Sequence, residues 1–481
     1  MPPTLKPGPA SLGLALSLLA FSAAAVDGWL AWRGPEQNGV SRETGLPDRI
    51  GSADEALWVA DFGGQSMPVN ADGRLYVLGF EGEGPDLREG VACFDAETGR
   101  QLWKRGFNDF LSDIIYQRYS TGSPVIDRET GHVYMQGTQG ILAAFTRDGE
   151  PLWDHSLMEK FGRLTFPNGR TASPVIERDL VITRGITSNW GAEGAVGDRF
   201  YAFDKRTGEF VWASSPGQRP MDSSFSHPYA MTWRGKRVLI AALGDGSVVC
   251  FNARSGAPLW RVPLAKAGIN AAVLVHNDDK VIAIFGTPYE PGQLVAFTLP
   301  DIEPADRYQA PVIVEREVVE LWSNPDISTS TSSPILVGDR IYVTKEKGDL
   351  VAVDVKTGRP FWSVQLGIEQ RNSSPLFADG KIYAPILDNP GSKGGGDASE
   401  AGTRGGFYIF RDGGDAPEKL SQIELDGRCF GSPAAWNGKV YLQTLNKLYA
   451  FGKRGDNPGR PAPRPVEEPK AGPAAQLQII P

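Results

Sequence analysis

LVAVDVKTGRPFW (Leu350–Trp362) is the stretch whose reading decides the fold. Alternating apolar residues run into a Lys-Thr-Gly turn, and a second short run ends in Trp. Gly at the turn supplies the positive φ that a tight connection needs, so the stretch predicts a β-hairpin. The unit returns as VACFDAETGRQLW (Val91–Trp103), AAFTRDGEPLW (Ala143–Trp153), YAFDKRTGEFVW (Tyr201–Trp212) and VVCFNARSGAPLW (Val248–Trp260). Recurrence of an all-strand unit at a period of roughly 40–60 residues is the signature of a repeat architecture. The expectation is an all-β protein, a β-propeller.

Three tallies set the number of blades. A segment of the form Ser-Pro, apolar, turn, apolar precedes each hairpin, beginning at Ser66, Ser123, Ser173, His227, Asn270, Ser333, Ser374 and Ser432. The hairpins' first strands carry Cys93, Ala144, Ala202, Cys250, Ala296, Ala352, Ile409 and Ala450 at one matching position. Closing strands fall at Trp58, Trp103, Trp153, Trp212, Trp260, Trp322 and Trp362, with a degenerate one around Leu420. All three agree on an eight-bladed β-propeller of four-stranded antiparallel blades. Leu57-Trp58 is a closing strand without its partner, and LYAF (Leu448–Phe451) is a first strand without its closing one. Pairing them closes the ring through an N-terminal strand and leaves no sheet edge at the seam. The recurring Trp residues read as wedges between blades, each N–H on a carbonyl. Cys93 and Cys250 read as small buried hydrophobes that do not meet in a disulfide.

Residues 1–25 read as a secretory signal peptide: Lys6, an apolar run from Leu12 to Phe21, then Ser-Ala-Ala-Ala. With no Cys near the cleavage site, the expectation is an exported protein, periplasmic or extracellular, without a lipid anchor. Residues 26–455 are expected to form the propeller, and 456–481 a Pro-rich disordered tail. With 57 Gly and 37 Pro in 481 residues, the chain suits one large, turn-rich domain. A formal net charge of −8 argues against a nucleic-acid partner. No further transmembrane segment is present, and a monomer is expected. There is no P-loop, G-x-S-x-G or C-x-x-C, and the His residues lack metal-ligand spacing.

Strands ending in the pattern ALDxxTGxxxW, the count of blades, and an N-terminal WRGPEQNGVS (Trp32–Ser41) resemble the pyrroloquinoline quinone repeat family of eight-bladed propellers. The resemblance spans roughly Trp32 to Gly452 and is specific for fold rather than function. It implies one of two roles. The first is a non-enzymatic envelope scaffold, like the propeller subunit of the outer-membrane protein assembly machinery, binding a protein or ligand on its loop-bearing face with no cofactor. The alternative is a quinone-dependent alcohol or sugar dehydrogenase, which would hold the quinone with calcium. Enzymes of that branch often carry a disulfide between adjacent Cys residues under the cofactor, and this chain has no Cys-Cys pair. The scaffold is therefore the preferred reading, with no catalytic and no metal residues assigned.

Binding is sought where the blades differ. Long, varied loops (Phe80–Gly90, Lys104–Gly122, Asp154–Ala172, Arg184–Asp198, Ala213–Ser226 and Asp388–Gly406) fall on one rim. The opposite face has tight turns, apart from Leu299–Val319. Loops elaborated on one rim of a rigid scaffold are the usual place for recognition. Candidate rim and funnel residues are Tyr119, Arg170, Trp190, His227, Asn270, Lys345, Arg371, Asn372 and Arg428. Three converging Arg would suit a carboxylate, a phosphate or the quinone's acidic groups. The competing reading is that these polar groups satisfy backbone at the funnel mouth.

Overall fold

The computed structural model describes residues 25–108, 119–162, 172–187, 197–287, 291–389 and 403–462, and in it the repeats form eight blades. Blade 1 spans residues 69–108, blade 2 125–156, blade 3 175–214 and blade 4 229–263. Blade 5 spans 274–324, blade 6 335–365, blade 7 376–426 and blade 8 434–452. In each, the first strand lies innermost. The outermost strand of blade 8 is Trp58–Ala60, antiparallel to Leu448–Gly452 in the register Trp58↔Ala450. The N-terminal strand thus closes the ring, as expected.

One register recurs through the blades. The small residue of the third strand faces the Trp of the outermost strand: Cys93↔Trp103, Ala144↔Trp153, Ala202↔Trp212, Cys250↔Trp260, Ala296↔Trp322 and Ala352↔Trp362. A bulge follows at once and bends the strand into its turn. Each indole then leans on the next blade. Trp58 Nε1 donates to Ala96 O (3.1 Å), Trp103 to Arg147 O (2.9 Å), Trp153 to Lys205 O (3.2 Å) and Trp322 to Val355 O (2.9 Å). Trp362 uses the Asp412 carboxylate instead (3.0 Å), while the buried indole nitrogens of Trp212 and Trp260 have no acceptor among the described residues.

The turn glycine completes the wedge. Gly358 has φ +69, and a Cβ there would lie 2.4 Å from the Trp322 ring. Asp354 ties this turn by accepting from the N–H groups of Lys356 (2.6 Å) and Thr357 (3.1 Å). Blade 7 departs from the pattern. Ser421, one residue from the expected Leu420, stands in the Trp place, and its partner is the larger Ile409. N-terminal Leu46 and Ile50 fill the remaining space in a core shared with Tyr383, Phe407 and Trp436. The Ile50 N–H donates to Ser421 Oγ at 3.2 Å.

Two other segments extend the expected plan. Within the connection expected over Leu299–Val319, Val312–Ile313 adds a fifth strand parallel to Pro258–Pro263 of blade 4. Beyond residue 455 the chain still packs: Asn457 Nδ2 donates to Glu43 Oε1 (2.9 Å) and Thr44 O (2.7 Å). Residues 456–462, expected to belong to the tail, are thus part of the described fold, while residues 463–481 lie outside the described residues, as do residues 1–24 of the expected signal. No helix among the described residues is long and apolar enough to cross a membrane. The three cysteines are free and buried.

Candidate binding funnel and rim

A belt of hydroxyls holds the inner strands together around the axis. The N–H of Met67 donates to Ser123 Oγ (3.0 Å), Ser123 to Ser173 (2.8 Å), Ala272 to Ser333 (2.9 Å), Ser333 to Ser374 (2.9 Å) and Ser374 to Ser432 (2.8 Å). This is the structural use of the Ser-Pro signature: each hydroxyl accepts from the equivalent N–H of the preceding blade. In two blades the frame differs from the sequence alignment, since Met67 and Ala272, rather than Ser66 and Asn270, occupy the belt position.

The WRGPEQNGVS segment closes one end of the axis. Gly28–Trp29 pairs with Asn70 and Ala71 of blade 1, and Val40–Ser41 pairs with Phe377 and Ala378 of blade 7. Between them, Leu30 O accepts from Ile126 N (2.8 Å), and the Gln37 amide takes both backbone groups of Ala230 (2.8 and 3.0 Å). Asn38 Nδ2 reaches Leu336 O at 3.3 Å. The chain therefore spends otherwise open strand edges of blades 1, 2, 4, 6 and 7 on itself. Trp29 Nε1 donates to Met67 Sδ at 3.3 Å, so Met stands in the belt where the N-terminal segment needs a soft acceptor.

Above this floor a narrow enclosed volume of about 30 Å³ follows the axis, bordered by Trp32, Gln65, Asn270, Thr331, Asn372 and His227, among others. His227 lies 5.2 Å from the Trp32 ring. Burial, and then the charge of Arg33, hold its pKa down to about 3, so the imidazole is neutral at physiological pH. Asn372 Nδ2 donates to Gln65 Oε1 (2.8 Å), and Asn270 Oδ1 is buried without a partner. His227, Asn270 and Asn372 are thus brought together at the neck. Tyr119 is buried against Phe80 instead, with ring centroids 5.4 Å apart. Lys345 sits in the turn between the second and third strands of blade 6.

The two described members of the expected arginine triad, Arg371 and Arg428, are both ion-paired. Arg371 pairs with Glu369 (2.5 Å) and Glu346 (3.3 Å). Arg428 is buried on Asp388 at 2.8 Å. Arg170 and Trp190 lie outside the described residues. The physical reason is desolvation: a guanidinium under the rim needs a carboxylate at hand, and each of these two has one. The same device appears where the sequence offered no hint. Arg184 and Asp198 form a buried bidentate pair (2.7 and 2.5 Å), and Asp198 also accepts from Gly244 N at 2.9 Å. The buried Glu89 carboxylate accepts from the N–H groups of Ser120 and Thr138, both at 2.6 Å. These groups fix the bases of the rim loops. Nothing in spacing marks them, because the partners meet only through the blade geometry.

A family model described as outer membrane protein assembly factor BamB matches residues 51–199 and 196–388. The chain belongs to this BamB-type family. An outer membrane protein assembly factor BamB of Burkholderia pseudomallei (strain K96243) is 24% identical over 319 residues, covering 64% of this chain and 68% of that protein. The BamB structure from Moraxella catarrhalis superposes with a TM-score of 0.57 at 16% identity, over 83% of this chain and 99% of the other. A quinohemoprotein alcohol dehydrogenase from Comamonas testosteroni superposes at 0.52 with 14% identity, over 91% of this chain and 82% of the other. At such identities the two superpositions speak to the fold alone.

The neck of the funnel, taken by itself, fits a quinone poorly. The described neck offers about 30 Å³, far below the several hundred Å³ typical of an organic ligand pocket. Arg371 and Arg428 are spent on carboxylates, and among the described residues no three His, Cys, Asp or Glu gather to hold a cation.

Proposed function

We propose that this protein is a non-enzymatic scaffold of the cell envelope that assists outer-membrane protein assembly by binding a protein partner on its loop-bearing rim. Membership of the BamB-type family, matched at residues 51–199 and 196–388, is the observation that carries the reading. The geometry supports the place. With one end of the axis filled by the N-terminal segment, recognition falls to the opposite rim, whose loops rise from rigid, charge-paired bases. Met221 and Ile368, 58% and 71% exposed, lie on connections of that rim.

The test places a photo-crosslinking residue at Met221, at Ile368 and, as a control, at Phe361 on an outermost strand. Crosslinks to outer-membrane assembly components from the rim positions, with none from Phe361, are the expected result. Export is tested alongside, by fractionating the host. Dye reduction by the purified protein, dependent on both pyrroloquinoline quinone and calcium, would overturn the scaffold reading in favour of the dehydrogenase.

A further inference from the structure

Arg33 is the anomaly of the axial floor. Its side chain is 1% exposed, at φ +67, a left-handed conformation that a non-glycine residue adopts at a cost of about 1–2 kcal/mol. Nη2 donates to Pro334 O across the axis, but Nε and Nη1 have no hydrogen-bond partner among the described residues. Every other buried guanidinium discussed above sits on a carboxylate. Arg33 has none among the described residues; beside it lies the Trp32 ring, whose centroid is 5.3 Å from Cζ. A cation–π contact offsets only part of the cost of a buried, uncompensated cation.

The neighbouring groups add no negative charge. His227, kept neutral by burial and by the charge of Arg33, has a buried Nδ1 without a partner among the described residues. The enclosed volume of about 30 Å³ is bordered by Trp32, His227 and Ser333, the sequence neighbours and contacts of Arg33 and of its acceptor Pro334. That volume holds one small ion or one or two waters, and no organic acid. Water would satisfy the N–H groups and leave the charge. A monovalent anion satisfies both.

We propose that Arg33 is the cationic half of an anion site on the propeller axis, filled by a small inorganic monoanion of the size and charge of chloride. The site locks the N-terminal segment into the ring, because Arg33 belongs to that segment and its acceptor Pro334 to the entry of blade 6.

The probes are chloride and bromide. Protein freed of halide in sodium gluconate is titrated with sodium chloride or bromide at fixed ionic strength while its melting temperature is followed. Wild type should gain stability as the logarithm of halide concentration above Kd, on the order of 3 °C at about 100-fold Kd, as expected for a ligand binding only the folded state. Arg33→Met should show no such gain. Crystals grown with bromide should show its anomalous signal within about 3.5 Å of Arg33 Nε or Nη1, a normal charge-assisted contact for a large anion. Equal melting in gluconate and bromide would overturn the site, as would bromide crystals in which both nitrogens meet only water. Should Arg33→Met fail to fold, the bromide position in wild type decides by itself.

Discussion

Gly358 and Gly380 offer a matched experiment on the blade wedge. Both have a left-handed backbone, φ +69 and φ +70. A Cβ at Gly358 would lie 2.4 Å from the Trp322 ring, whereas at Gly380 nothing lies within 4 Å. Substitution by Ala imposes the same backbone strain at both, about 1 kcal/mol. At Gly358 the indole must also move. Forced repacking of a tight core costs about 1–3 kcal/mol, and displacing Trp322 endangers its 2.9 Å bond to Val355 O, worth about 1 kcal/mol. Gly358→Ala should therefore be about 2–4 kcal/mol worse than wild type beyond the shared strain, while Gly380→Ala stays near the strain alone. Urea unfolding followed by Trp fluorescence gives both values. Equal losses, within about 0.5 kcal/mol, would refute the claim that the turn glycine exists to seat the neighbouring blade's Trp.

Other outcomes follow from the same geometry. Deleting residues 26–64 removes the closing strand and the axial floor together, so the product should be poorly soluble and melt far below the parent; unchanged melting would mean the ring closes otherwise. Burial pushes the Cys93 thiol up to about 12 and raises Cys250 and Cys429 further, so a thiol reagent should label none of the three before unfolding. Arg428→Ala leaves Asp388 buried and uncompensated and should cost about 3–5 kcal/mol, with much of that recovered in Arg428→Met combined with Asp388→Leu; equal melting of wild type and Arg428→Ala would contradict a structural pair. Although burial opposes it, hydrogen bonds from Tyr342, Gly414 N and Trp362 and the Arg340 charge hold the Asp412 carboxyl below its usual 3.8. That contribution is complete above the unfolded value and disappears as pH falls through the lower folded one, so Asp412→Asn should flatten the acid limb of the stability profile.

What the sequence disclosed was whatever repeats. Eight copies of a hairpin fix the register between Trp and small residue, and the two incomplete ends, Trp58 and Leu448–Phe451, point at each other without any structure. Even the exception was half visible, since Ile409 replaces Ala where the Trp is lost, but that Leu46 and Ile50 fill the gap was not. The neck residues His227, Asn270 and Asn372 were legible because they precede inner strands, and that position faces the axis in every blade. Arg371 and Arg428 were placed under the rim but read as free charges. Their partners Glu346, Glu369 and Asp388 sit on loops and turns, where a carboxylate is unremarkable in sequence. The segment from Trp32 to Ser41 carried no periodicity at all. Its role, together with Gly28–Leu30 just before it, depends on meeting five blades at once, which no local pattern encodes.

The closure at Trp58 also sets a timetable for biogenesis. The contacts that seal the ring span extreme distances along the chain: Ser66 N to Gln443 Oε1 bridges 377 residues, and Arg454 to Leu57 O bridges 397. Whether the chain emerges from a ribosome or is threaded across a membrane, its N-terminal end comes first and the partners of the first strand come last. Until they arrive, Trp58–Ala60 and the floor segment have no mates, and each new blade stacks on one whose inner edge is bare. An aggregation-prone arc is therefore an obligatory stage in the life of this protein. Its yield should be governed by whatever shields the open arc, and a circular permutant opened between blades 4 and 5, which delivers the seam strands together, should fold with less help.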